Sequence, residues 1–172
     1  MHGVAIRGQM LSYVARTVPL VLRARLRADG ALVSTLPRRV SLRQIDLNRH
    51  MNQAQYPAVM EQGRADLLLR CGAWLDWRSQ GINPVVAEQN IQYRRELKPL
   101  QRYRIDSRVT GTTGRFVVVE HHLLVGQRVH AKGVAHLLFV GPDGVMDGPA
   151  VAEAVQPYVT DGLAVQDWAV VG

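Results

Sequence analysis

Polar and apolar positions alternate along much of the second half of the chain. In residues 102–109, largely apolar positions alternate with charged ones, which is the period of a β-strand with one buried face. Residues 84–97, 115–125 and 128–140 are also rich in apolar and β-branched side chains. Short turn-like segments separate these four strands, which predicts antiparallel hairpins.

One long helix is predicted ahead of these four strands. Its apolar face is formed by residues at spacings of three and four, namely Tyr56, Met60, Gly63, Leu67 and Cys71. Asn52 is a suitable N-cap, but Pro57 is tolerated only in a first helical turn, so either the helix begins a residue or two later, at Gln53 or Ala54, or its start is distorted. Gly72 fits the position just after the last turn.

Two features of this helix predict how it packs. Glycine in mid-helix costs about 1 kcal/mol relative to alanine, so Gly63 indicates a close approach to a sheet. Asp66 and Arg70 are four residues apart and are expected to form an ion pair on a solvated face.

The remaining elements are shorter. A first strand is expected over 36–44, where it leads into Asp46, and short helices are expected at 73–80 and 150–155. Residues 1–30 have the pattern of an amphipathic helix bent at Pro19, which packs on its own domain, on a partner subunit or on a membrane surface. The expected organisation is an N-terminal extension, 1–30, followed by one domain, 31–172.

Composition narrows the class of protein. The chain has 172 residues, 47% of them hydrophobic and 20% charged, which is typical of a soluble globular protein. No segment has the length and apolarity of a membrane span. The one cysteine, Cys71, excludes a disulfide framework and a cysteine zinc site, and a cytoplasmic location is expected.

The charge is strongly basic. The formal net charge is +7, and lysine accounts for only two of the 21 basic residues, Lys98 and Lys132. Anionic partners are therefore expected, such as the phosphates of a nucleotide or an acidic carrier protein, although an arginine-rich genome gives the same bias. The arginines are scattered along the sequence, which argues against a nucleic-acid-binding face. Several basic residues lie near predicted strand ends, where they could meet phosphates: Arg94, Arg95, Lys98, Arg115 and Arg128.

The densest group of polar side chains precedes the long helix. Asp46, Asn48 and His50 fall within five residues. Aspartate can act as a base or nucleophile, histidine can transfer a proton near neutral pH, and asparagine can hold water or a carbonyl group. The alternative is structural, since aspartate and asparagine often only shape turns and cap helices.

The stretch from Asp46 to Tyr56 resembles the D-x-N-x-H-M/V-N-N-x-x-Y signature of hotdog-fold acyl thioesterases. These include the 4-hydroxybenzoyl-CoA thioesterase-like group and the acyl-acyl-carrier-protein thioesterases. The resemblance continues through 90–97 to about residue 140. One position departs from the pattern, because Gln53 stands where the family usually has a second asparagine.

This resemblance implies a fold and a site. The fold class is α+β, with a long central helix wrapped by a curved antiparallel sheet. Asp46 is expected to be the base or nucleophile, with Asn48 and His50 positioning water and the carbonyl group. Backbone N–H groups near Met51 and Asn52, at the start of the helix, are expected to form the oxyanion hole.

A second carboxylate, Glu61, lies on the long helix, where related hotdog proteins carry a catalytic acid. The alternative is that Glu61 pairs with Arg64, three residues later. The histidines of the predicted strands lack aspartate or cysteine at ligand spacing, so neither a metal nor another cofactor is expected.

The resemblance favours a thioester hydrolase acting on acyl-CoA or acyl carrier protein. A non-catalytic acyl-CoA-binding module is one alternative. A hotdog enoyl-CoA hydratase is another, although that group resembles D-x-N-P-x-H and this chain lacks the proline and has a shorter interval. Hotdog sheets pair edge to edge, so a homodimer or homotetramer with its site at the interface is expected.

Overall fold

The computed structural model of the protein describes residues 29–161. The elements run in the order β1 (Val33–Arg39), α1 (Gln55–Arg70), α2 (Ala73–Ser79), β2 (Asn83–Tyr93), β3 (Arg102–Thr113), β4 (Phe116–Val125), β5 (Arg128–Gly141), β6 (Gly144–Val145) and α3 (Gly148–Val155). Apart from Asp29 and Gly30, the predicted N-terminal extension, 1–30, lies outside the described residues.

The strands form one antiparallel sheet in the order β1-β3-β4-β5-β2, and β6 pairs with the end of β5. The sheet is curled, and the long helix α1 packs against β1, β3 and β4. This arrangement is the hotdog fold and confirms the predicted α+β class.

The expectation of hairpins throughout is wrong for one connection. β2 pairs with β5 at one edge of the sheet, whereas β3 lies between β1 and β4 near the other edge. The connection over residues 94–101 therefore crosses the width of the sheet. Its length did not reveal this, because strand order depends on tertiary contacts.

Gly63 brings α1 close to the sheet, as predicted. A Cβ atom at this position would lie 2.5 Å from Ser107 Oγ and 2.8 Å from Ile105 Cγ2. Both distances are shorter than real Cβ contacts, so only glycine fits without movement of β3.

The helix starts two residues after the Asn52 N-cap position, at the later of the predicted alternatives. The N-cap is Ala54, and Asn52 instead accepts a hydrogen bond from the Ala54 N–H at its side-chain Oδ1, at 2.8 Å. Pro57 still falls in the first turn, where its missing N–H costs nothing. The predicted end is confirmed, since Gly72 follows the helix with a φ of 86°.

Two further expectations are corrected. The first strand ends at Arg39, and residues Leu42–Gln44 form a 3₁₀ turn instead. Asp66 is not solvated: it is 2% exposed and accepts a hydrogen bond of 2.5 Å from Ser34 Oγ on β1. The Arg70 guanidinium is 3.9 Å from Asp66 and 2.5 Å from Asp29.

The core divides into two clusters along α1. One lies beneath the first turns of α1 and includes Leu36, Met60 and Leu123. The other lies beneath its last turns and is built around Trp77 and Phe139. The polar motif lies at the same end of α1 as the first of these clusters.

Candidate active site

The polar motif forms a tight loop between β1 and α1. Ile45 and Met51 pair as an antiparallel bridge, and the Asp46 N–H donates to the His50 carbonyl oxygen at 3.1 Å. The Arg49 N–H donates to the Asp46 carbonyl oxygen at 3.1 Å, and Arg49 adopts a φ of 61° at the tip. The loop is therefore closed by its own backbone, and the motif side chains project from a defined turn.

Asp46 serves the turn with only one of its two carboxylate oxygens. Its Oδ1 accepts a hydrogen bond from the Asn48 N–H at 2.9 Å, as in an Asx-turn. Its Oδ2 has no hydrogen-bond partner among residues 29–161. The structural role considered for Asp46 is thus present, and it leaves one oxygen for chemistry.

The neighbouring imidazole has a defined tautomer when neutral. His50 Nδ1 lies 3.2 Å from the Met51 carbonyl oxygen, and a carbonyl oxygen only accepts hydrogen bonds. Nδ1 therefore carries the proton, and Nε2 is left with a lone pair. The side chain is 33% exposed, so solvent and small ligands reach it.

A cleft of about 580 Å³ opens beside this loop. One wall is the loop and the start of α1, and the other is the end of β2 with the residues that follow it. Tyr56 and Tyr93 meet across the cleft with ring centroids 4.9 Å apart, edge to face. The residues that line the cleft are Asp46, Asn48, His50, Met51, Asn52, Gln53, Tyr56, Tyr93, Arg94, Arg95 and Glu96.

Backbone hydrogen bonds hold the two walls in register. The Met51 N–H donates to the Leu97 carbonyl oxygen at 2.8 Å, and the Arg94 and Arg95 N–H groups both donate to the His130 carbonyl oxygen. Sequence reasoning singled out Arg94 and Arg95 for phosphates but missed Tyr93 and Glu96. The only signal for those two was the resemblance over 90–97.

The expected oxyanion donors are occupied. The Met51 N–H is engaged as just described, and the Asn52 N–H donates to the Gln44 carbonyl oxygen at 2.8 Å. At the helix entrance, the Gln53 N–H is the one left without a hydrogen-bond partner in the described part of the chain. The candidate donor therefore moves from Met51 and Asn52 to Gln53.

Glu61 is not brought to this cleft. It lies on the exposed side of α1, six residues beyond the first helical residue, which is about 9 Å along the axis. The structure thus joins Asp46, Asn48, His50, Met51 and Asn52 around one cleft and leaves Glu61 outside it.

Basic side chains gather at the end of the sheet where the cleft opens. Strand register brings Arg39 opposite Arg102, while Arg128 begins β5 and Arg95 follows β2 at the same end of the sheet. The arginines that are scattered in sequence are therefore gathered in space. We call the exposed members of this group the basic rim: Arg39, Arg43, Arg49, Arg94, Arg95, Lys98, Arg102 and Arg128.

Two features are absent from residues 29–161. No group of three or more histidine, cysteine, aspartate or glutamate side chains could hold a metal ion there. None of the helices in that range has the length and apolarity needed to cross a membrane.

A curled antiparallel sheet around one long helix, with a polar loop at the helix entrance, defines a hotdog-fold protein. The family model described as the thioesterase-like superfamily matches residues 40–155. The chain belongs to this family.

Solved structures agree on the fold. A probable thioesterase, YbaW, from Escherichia coli has a TM-score of 0.67 at 19% identity, covering 73% of this chain and 98% of its own. The DHNA-CoA thioesterase from Staphylococcus aureus has a TM-score of 0.59 at 15% identity, covering 73% and 90%. A 4-hydroxybenzoyl CoA thioesterase mutant, complexed with 4-hydroxybenzoyl CoA, has a TM-score of 0.60 at 12% identity, covering 74% and 99%.

Proposed function

We propose that this protein hydrolyses acyl thioesters in the cleft at the entrance of α1. The observation that carries the proposal is that three groups with no hydrogen-bond partner among residues 29–161 border one cleft: Asp46 Oδ2, His50 Nε2 and the Gln53 N–H. A carboxylate, an imidazole and a backbone N–H at a helix entrance are groups that can catalyse acyl transfer. Membership of the thioesterase-like superfamily supports the same reaction.

In the reaction, the oxygen of water bonds to the carbonyl carbon and the C–S bond breaks, which gives a carboxylic acid and a thiol. The Asp46 carboxylate takes the proton from the attacking water, or attacks the carbonyl itself before water completes the hydrolysis. Asn48 orients the water or the carbonyl group. His50 Nε2, which has a lone pair when the ring is neutral, takes up the proton that water has given to Asp46 and passes it to the leaving thiolate, and the Gln53 N–H stabilises the oxyanion.

The substrate is an acyl group carried on CoA or on an acyl carrier protein. Met51, Tyr56 and Tyr93 give the cleft an apolar component for the acyl chain. Arg94 and Arg95 stand at the same cleft and suit the phosphates of the carrier. The CoA ligand of the solved 4-hydroxybenzoyl CoA thioesterase supports this class of substrate.

The active form is a homodimer that pairs through β2, and a tetramer can be built from two such dimers. β2 is an edge strand of the described sheet, and Val85, Val86 and Tyr93 on it are 40–49% exposed. An exposed strand edge is a template for pairing with a second chain. Because Tyr93 also lines the cleft, a partner on this edge stands beside the site.

The test is release of free thiol from short, medium, long and aromatic acyl-CoAs and from acyl carrier proteins, followed with a chromogenic thiol reagent. Turnover of at least one class above the uncatalysed rate is expected. Stabilisation by acyl-CoA without release of thiol from any substrate would identify a binding module instead.

A further inference from the structure

We propose that the basic rim is the docking surface for an acidic carrier protein, so that the preferred substrate is an acyl group on a carrier protein rather than on free CoA. The preferred substrate and its kinetic test rest on the proposed hydrolysis. The docking itself stands on the charge and extent of the rim.

Positive charge predominates around the cleft. All eight members of the basic rim are exposed, and the only exposed carboxylate among the residues lining the cleft is Glu96. Lys98 Nζ lies 3.7 Å from that carboxylate. The cleft therefore opens within a positively charged surface, which attracts an acidic partner and steers its approach.

The basic rim extends across the whole width of the sheet. The rim draws on β1 and β3 at one edge of the sheet and on β5 and β2 at the other, so it spans five adjacent strands. At the usual strand spacing this width is about 19 Å. A surface of this width is on the scale of a protein interface, which buries about 800 Å² per partner.

Two arginines of the basic rim repel each other. Arg39 and Arg102 lie directly opposite each other across β1 and β3. Like charges placed opposite each other on neighbouring strands destabilise a sheet. A partner with carboxylates over this pair removes the repulsion. Arg39 Nε donates a hydrogen bond to the Leu100 carbonyl oxygen at 2.8 Å, which keeps the Arg39 side chain at the surface.

The basic rim reaches the cleft that contains Asp46. Arg94 and Arg95 belong both to the rim and to the cleft wall, so the docking surface is continuous with the cleft. A carrier protein seated on the rim therefore places its phosphopantetheine arm at the cleft mouth, with the thioester directed toward Asp46.

The kinetic test compares one acyl group on three carriers: an acidic acyl carrier protein, CoA and pantetheine. The test variants are Arg102→Glu and Arg128→Glu, which lie outside the cleft wall. The matched controls are Arg78→Glu and Arg115→Glu, two exposed arginines away from the rim. We expect the rim variants to lower kcat/KM for the carrier-protein substrate by about tenfold or more, mainly through KM.

The same rim variants should change kcat/KM for the pantetheine thioester by less than about twofold, since no protein surface docks there. The wild-type preference for the carrier protein should also weaken as ionic strength rises. Equal effects on all three substrates, or equal effects of the control variants, would overturn the inference.

A binding measurement separates this inference from the proposed function. Fluorescence anisotropy of labelled carrier protein bearing an unacylated phosphopantetheine arm needs no turnover. Binding that the rim variants weaken and the controls leave intact supports docking even if no thioester is hydrolysed. Hydrolysis of acyl-CoA with no measurable carrier-protein binding would retain the enzyme and reject the docking surface.

Discussion

His50 Nδ1 lies 3.9 Å from Asp46 Oδ1, which is too long for a hydrogen bond, while its shorter contact is the Met51 carbonyl oxygen at 3.2 Å. The imidazole is therefore oriented by the backbone rather than by the carboxylate. This arrangement leaves both Asp46 and His50 able to act on a ligand in the cleft.

The variant His50→Asn separates orientation from proton transfer. The asparagine amide can still donate to the Met51 carbonyl oxygen, but it cannot supply the proton acceptor that Nε2 provides. We expect the melting temperature to stay within a few degrees and kcat to fall by about 100-fold, the lower range for general acid–base catalysis. A variant with wild-type kcat and an unchanged pH profile would show that His50 only shapes the loop.

The candidate oxyanion donor can be removed without changing its neighbours. Gln53→Pro deletes the unpartnered N–H, whereas Gln53→Ala keeps it and removes only the side chain. We expect the proline variant to lose about 100-fold in kcat, as for other oxyanion donors, and the alanine variant to stay within about threefold. Circular dichroism should show that both remain folded. Similar losses in the two variants would assign the effect to the side-chain amide.

Packing beneath α1 predicts an unusual response at Gly63. Alanine is the better helix former, yet its Cβ would meet Ser107 Oγ at 2.5 Å. We expect Gly63→Ala to lower the free energy of unfolding by about 1–3 kcal/mol, the usual cost of overpacking, as measured by urea denaturation. The same substitution in a Ser107→Ala background should cost less, because one of the two clashing atoms is gone.

The pH dependence of stability should report on His121. Burial, followed by the charges of Arg64 and His122, lowers the pKa of His121 to about 3 from 6.5, although the nearby carboxylate of Glu120 acts in the opposite direction. Between pH 6.5 and about pH 3, the unfolded chain therefore binds a proton at His121 that the folded chain does not bind. The effect of His121 on the free energy of unfolding is therefore most favourable above pH 6.5, and the free energy of unfolding falls as the pH drops toward 3.

The measurement is urea denaturation at intervals between pH 7 and pH 5, for wild type and His121→Asn. The asparagine amide can still meet Ser107 Oγ, which lies 2.8 Å from His121 Nδ1, but it does not titrate. Below pH 6.5 the wild type should lose up to about 1.4 kcal/mol per pH unit more than the variant. Parallel curves for the two proteins would mean that His121 binds a proton as readily in the folded state as in the unfolded chain.

Edge pairing through β2 is tested by charge. Val86→Lys places a cation on the exposed part of the edge strand, and Val145→Lys is a matched control on β6, where the side chain is 51% exposed. Light scattering should give a dimer for wild type and the control and a monomer for Val86→Lys. A monomeric wild type would contradict the proposed assembly.

The sequence predicted the fold because its signals were local. The alternation in 102–109, the turns that flank it and the single long helical pattern identify the elements, and Gly63 indicated which face of α1 meets the sheet. The Asn52 side chain accepts a hydrogen bond from the Ala54 N–H, so the first N-cap candidate lies two residues before the actual N-cap. Local pattern alone does not distinguish that Asx-turn from a helix N-cap.

What the sequence did not predict depends on tertiary contacts. Asp66 pairs with Ser34, which is 32 residues away, so its burial has no local signature. The gathering of Arg39, Arg102 and Arg128 at one end of the sheet follows from strand order and register. The occupied Met51 and Asn52 N–H groups likewise follow from distant partners, Leu97 on the crossing connection being one of them.

The central claim is hydrolysis at the Asp46 loop, and the most direct measurement is thiol release by wild type and Asp46→Asn on the best substrate of the acyl panel. Asparagine can still accept the Asn48 N–H hydrogen bond at its amide oxygen, so the turn should survive, and the melting temperature serves as the control. We predict a fall in kcat of about 100-fold or more, since the variant cannot act as base or nucleophile. Turnover at the wild-type rate in the folded variant would contradict the account and would place the chemistry elsewhere.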